Sequence, residues 1–114
     1  WRRPPCVGGY NRVRPRAGAE VLLAAYGCEA VLERGHFRFE PRDSSVLLAV
    51  GRHGKGRTAA FTSDVAPHWV GGLVDWGDGR VHAQAPGADA VEVGNHYAAF
   101  FTQLVRWTLG ENLE

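Results

Sequence analysis

The chain has 114 residues, 45% hydrophobic and 22% charged, with a net charge of +1. This suits one small globular domain, excludes a disordered polyelectrolyte, and gives no overall reason to expect a nucleic-acid partner. No apolar run approaches the roughly 18 residues of a membrane-crossing helix, so no membrane partner is expected either.

Residues 1 to 18 are rich in Pro, Gly and Arg and predict an extended leading segment with a turn at Gly8-Gly9. The opening WRRPPCVGGYN lacks the apolar core of a signal peptide, and the chain has no methionine, so it is expected to be processed or cut from a longer product. Arg2, Arg3, Arg12, Arg14 and Arg16 precede the first acid, Glu20. Such a patch suits an anionic partner, but every basic residue except Lys55 is arginine, which points to coding bias instead.

AEVLLAAY (19 to 26) predicts a buried strand. EAVLERGHFRFEP (29 to 41) predicts a hairpin turning near Gly35, with Phe37 and Phe39 alternating against Arg38 and Glu40. Pro41 to Ser45 is expected to be a loop. VLLAVGR (46 to 52) predicts a strand covered on both faces, and Gly51, Gly54 and Gly56 allow a tight reversal into GRTAAFTS (56 to 63). The small Ala59 and Ala60 suggest close packing by a neighbouring element. Residues 64 to 94 predict an ordered, Trp-bearing loop or lid, with a short strand at GRVHAQ. NHYAAFFTQLVRWTLG predicts a helix with Asn95 as N-cap and Gly110 as its stop; Tyr97, Phe100, Phe101, Leu104 and Val105 form its apolar face.

Several chemical patterns fail on their own requirements. GRHGKGR is not a phosphate loop, because Lys55 is followed by Gly56 and a strand instead of Ser or Thr and a helix. None of His36, His53, His68, His82 and His96 form the paired spacing of a zinc helix, so no metal site is expected. Cys6 and Cys28 make neither a metal spacing nor a disulfide framework; both are expected to be buried small residues in a reducing, cytoplasmic protein. Nothing demands a cofactor.

Asp64 stands apart. It follows the predicted strand 56 to 63, at the carboxyl edge where open α/β sheets keep their sites. His68 is placed to act with it as acid or base, unless Asp64 merely caps the next turn.

Three blocks, GYNRVRPRAGAEVLLAA, LLAVGRHGKGRTAAFTSDVAPHWVGG and YAAFFTQLVRWTLGE, resemble the C-terminal half of the glutamine-amidotransferase-like proteins, a divergent branch of the class I superfamily. The resemblance implies a three-layer α/β/α fold of flavodoxin type, with residues 1 to 114 as the C-terminal portion of one larger domain. The elbow nucleophile would lie outside this segment. Active relatives end the corresponding strand in His-Pro-Glu; here Thr62-Ser63-Asp64 takes its place, so the usual base is absent. The expected function is a divergent hydrolase or transferase, or a small-ligand-binding domain. Asp64 and His68 would carry any chemistry, and Tyr10, Asn11, Thr62, Ser63 and Trp69 would hold the ligand. The alternative is a non-catalytic interaction domain using the Arg-rich leading segment and the Trp-bearing loop, with a homo-oligomer or pairing with the rest of the domain as expected partnerships.

Overall fold

Alternating apolar residues and two glycine-bearing reversals dictate a meander. The structure, a computed structural model, describes residues 4–65, 69 and 71–111. Strands β1 (Glu20–Glu33), β2 (His36–His53) and β3 (Gly56–Phe61) form an antiparallel sheet in the order β1-β2-β3. Arg34 and Gly35 both have positive φ, +51° and +78°, the backbone of a type I′ reversal between β1 and β2. Gly54, at φ +58°, opens the reversal into β3.

β3 pairs with β2 only from His53 back to Leu48. Below that level β1 and β2 continue alone as a two-stranded arm. One side of its tip carries Ala30, Leu32, Phe37 and Phe39; the other carries Glu29, Val31, Glu33, His36, Arg38 and Glu40, as the register requires. Arg38 pairs with Glu33 and Glu40, and Arg42 with Glu29.

Four expectations fail here. Pro41 to Ser45 is not a loop but part of β2. The missing Pro41 N–H is tolerated because β3 does not reach that level, leaving β2 an edge, and a register irregularity at Gly27 absorbs the extra residue opposite. Residues 19 to 26 do form a strand, yet it is not buried: only Ala25 is, while Val21, Leu22 and Tyr26 are exposed. Ala59 and Ala60 are exposed on edge strand β3 instead of tightly packed. Leu48 and Val50 are buried, but their neighbours in 46 to 52 are only half covered or exposed.

A 3-10 turn (Gly71–Asp75) and a second hairpin, β4 (Arg80–Ala83) with β5 (Val91–Gly94), give residues 71 to 94 more regular structure than a loop. β4 matches the short strand expected there. Helix α1 (Asn95–Thr108) follows β5 directly. Leu73 and Tyr97 form the core between these pieces, with Val7, Phe61, Val74, Trp76, Val93 and Phe101 packed around them. Phe61 meets Phe101 edge-on at 5.3 Å and Phe100 at 6.1 Å, which fixes α1 on the sheet. Val105, expected on this face, is exposed.

Asn95 is not the N-cap. Gly94 takes that position, and Asn95 is the first helical residue. The helix start is satisfied by backbone instead: the Trp76 carbonyl accepts from the N–H groups of His96 and Tyr97, and Gly79 O from that of Asn95. A Cβ on Gly94 would collide with the Trp76 carbonyl, so only glycine permits this approach. The mixed α/β class therefore holds, as two antiparallel sheets and one C-terminal helix among the described residues.

Candidate functional site

The corner after β3 is built by threading the leading segment against it. Thr62 is 7% exposed; its N–H donates to Leu47 O and its Oγ1 to Val46 O at 2.8 Å. Its carbonyl accepts from the Asn11 N–H at 2.8 Å. Ser63 Oγ lies 2.6 Å from Gly9 O and 3.3 Å from Trp69 O. A hydroxyl has one proton, and the shorter contact claims it. The Gly8 N–H donates to Trp69 O at 2.7 Å. One Asp64 oxygen, Oδ2, accepts from the Trp69 N–H at 3.2 Å. Asp64 thus closes the turn that follows it, and Oδ1 has no hydrogen-bond partner among the described residues.

Two glycines make this approach possible. A Cβ on Gly9 would stand 2.9 Å from the Trp69 ring, and one on Gly71 2.7 Å from the Gly8 nitrogen. The Trp69 indole therefore lies on the Gly9 backbone, with 41% of its surface exposed. Tyr10 reaches the other way: its hydroxyl sits beside Gly27, where Asp43 also approaches and pairs with Arg12 at 2.9 Å. On the far side of the corner, Tyr97 Oη donates to Val65 O at 2.6 Å. Desolvation raises the Tyr97 phenol above its ordinary value, which keeps it a donor.

The structure brings Asn11, Thr62, Ser63, Asp64 and Trp69 together; Tyr10 branches from the same segment toward the arm. His68 lies outside the described residues. Tyr97, expected only in the helix face, also anchors the corner, and Gly8 and Gly9 join it through their backbone. The GGYN run was the available signal, since adjacent glycines beside a tryptophan-bearing turn allow such contact. Cys6 and Cys28, expected to be buried, are both exposed and free. They lie in the leading segment and on the arm, where no other layer covers them.

Chemically the corner positions more than it activates. Both hydroxyls are spent on carbonyls, and no described base contacts Ser63. Among the described residues no group of three or more His, Cys, Asp or Glu is placed to hold a metal.

A family profile described as "Putative glutamine amidotransferase" matches residues 2–82. The chain belongs to this family. The match ends inside β4, so it includes the whole three-stranded sheet and the corner but not α1. No curated protein matches the chain. No helix among the described residues is long and apolar enough to cross a membrane.

Proposed function

We propose that this amidotransferase-like chain binds a small polar ligand at the corner formed by Asn11, Thr62 to Asp64 and Trp69, and does not itself hydrolyse glutamine. The observation that carries this reading is the division of labour within Asp64. One oxygen holds the turn and the other, with no partner among the described residues, is left for a donor on a ligand, beside a partly exposed indole. Thr62 and Ser63 set the shape of the site with hydroxyls already committed to backbone. A thioester route needs a thiolate, a base to hold it and an acid for the leaving ammonia. His-Pro-Glu, which would serve those roles at this strand end, is missing from the sequence. His68 remains a candidate partner of Asp64 in any divergent hydrolysis.

The same reading makes the chain the C-terminal portion of a larger three-layer α/β/α domain. In support, α1 covers only one region of the sheet, while Tyr26, Phe37 and Phe39 are 76%, 70% and 68% exposed. Further strands and helices of that domain would cover them. Two exposed, unpaired cysteines suit a reducing, cytoplasmic setting.

The test is a titration with glutamine, followed by the indole N–H signal of Trp69, with ammonia release measured on the intact protein in parallel. Asp64→Ala should weaken binding about tenfold, the equivalent of one lost charge-assisted hydrogen bond. Unchanged affinity in both Asp64→Ala and Trp69→Ala would remove the site. Ammonia release abolished by Asp64→Ala or His68→Ala would overturn the non-catalytic reading.

A further inference from the structure

The arginines of this chain divide by what they face. Arg12, Arg38, Arg42, Arg80 and Arg106 each pair with a carboxylate. Arg57 is committed to the end of α1: Nη1 donates to Trp107 O at 3.0 Å and the guanidinium lies 5.0 Å from the centre of the Trp107 ring. Arg14, Arg16, Arg34 and Arg52 have no carboxylate within 4.0 Å among the described residues, and of these Arg16 and Arg52 line one open concavity of about 620 Å³.

Its walls come from three directions. Arg16 begins a turn closed by the Ala19 N–H onto Arg16 O, with Gly18 at φ +86°. Glu20 starts β1, Arg52 and His53 end β2, and Trp107 comes from the last turn of α1. Thr58 lines the concavity from β3. Arg52 stands directly opposite Arg57 across the β2–β3 ladder. Like charges in such a pair destabilise a sheet unless something neutralises them. Arg57 is turned to backbone carbonyls, which carry only partial charge, and Glu20 is the single acid in the wall among the described residues. The volume falls within the range of small-molecule sites, roughly 300–1,000 Å³.

We propose that this concavity binds a small, multiply charged anion, with Arg16 and Arg52 as its principal contacts and Trp107 as a flat wall. Arginine is suited to this role because its planar fork donates two parallel hydrogen bonds to a phosphate or carboxylate. The site is separate from the Asp64 corner, whose residues do not line it, so either can fail without the other.

Calorimetric titration of the chain with sodium pyrophosphate and, separately, with citrate tests the proposal. One-to-one binding is expected for at least one probe, and the tighter of the two identifies phosphate or polycarboxylate as the ligand chemistry. Arg16→Glu and Arg52→Glu should each weaken it by about tenfold or more, and added salt should weaken it further. Arg52→Lys should retain part of the affinity, and Arg38→Glu, at the tip of the arm, should retain all of it. Far-ultraviolet dichroism confirms that each variant is folded. No binding of either probe at low salt, or unchanged affinity in both charge-reversal variants, would overturn the assignment.

Discussion

Asn95 shows how one side chain can leave the role its type favours. Its Oδ1 accepts from the N–H groups of Asp78 and Gly79, and its Nδ2 donates to Asp78 Oδ1 at 2.8 Å. Asp78 is held below its ordinary value of 3.8, first by the Asn95 hydrogen bond, then by its own backbone amide and the charge of His96. A lowered carboxyl pKa means the folded state holds its proton less tightly than the unfolded state. The associated stabilisation is present above the ordinary value and is lost as acid carries the pH through the lowered one. Asn95→Ala should therefore move the Asp78 titration upward, read from its carboxyl carbon shift. An unmoved titration would mean that the side-chain contact contributes nothing. At the corner, the hydroxyls of Thr62 and Ser63 and one oxygen of Asp64 follow the same logic: each is held by a nearby backbone group, and only Asp64 Oδ1 has no partner among the described residues.

Among elements, α1 is fixed at its start by backbone instead of a side-chain cap, and at its end by backbone together with the Arg57 guanidinium. Its end is a Schellman motif: the Gly110 N–H donates to Trp107 O and the Glu111 N–H to Arg106 O, with Gly110 at φ +90°. Gly110→Ala would force a Cβ into that left-handed conformation and should cost about 1 kcal/mol, seen as a lower thermal midpoint. A midpoint equal to that of the unmodified chain would show that the last turn is frayed. The same turn carries Trp107, so the variant also reports on the wall of the anion concavity. The β1–β2 arm is the opposite case. It has a clean two-faced alternation and a tight reversal, but an isolated two-stranded ribbon is marginal in water without a surface to cover its apolar side.

At the scale of the whole molecule, the chain is too open for its length. Its radius of gyration is 16.3 Å, whereas a compact domain of this size has about 13 Å. Its accessible surface is 8888 Å². The excess includes the arm's Leu32, Phe37 and Phe39, an apolar group left open to water. Phe37→Ser with Phe39→Ser should leave the isolated chain more monomeric in sedimentation velocity and lower its binding of a hydrophobic dye. If self-association and dye binding are unchanged, this apolar face takes no part in association.

Local chemistry made much of this fold legible. The reversals at Gly35 and Gly54, the strand at 46 to 52 and the stop at Gly110 follow from φ preferences and short-range alternation, which neighbouring residues set for themselves. The clustering of Asn11 with Thr62 to Asp64 also follows family-like blocks visible in the sequence, although the glycine contacts that hold it are not.

What eluded the sequence depends on partners far along the chain. Whether Pro41 to Ser45 is loop or strand is decided by how far β3 extends. Whether Ala59, Ala60 and the first half of β1 are buried depends on which layers lie above them. Asn95 loses its capping role because Trp76 and Gly79 bring carbonyls to the helix start. The sequence by itself determined the family, the reversals and the places where strands and helix form, because those rest on residue type and spacing. Only the tertiary structure decided which apolar faces are covered and which arginines lack a counter-charge, because burial and pairing belong to contacts between segments distant in the chain.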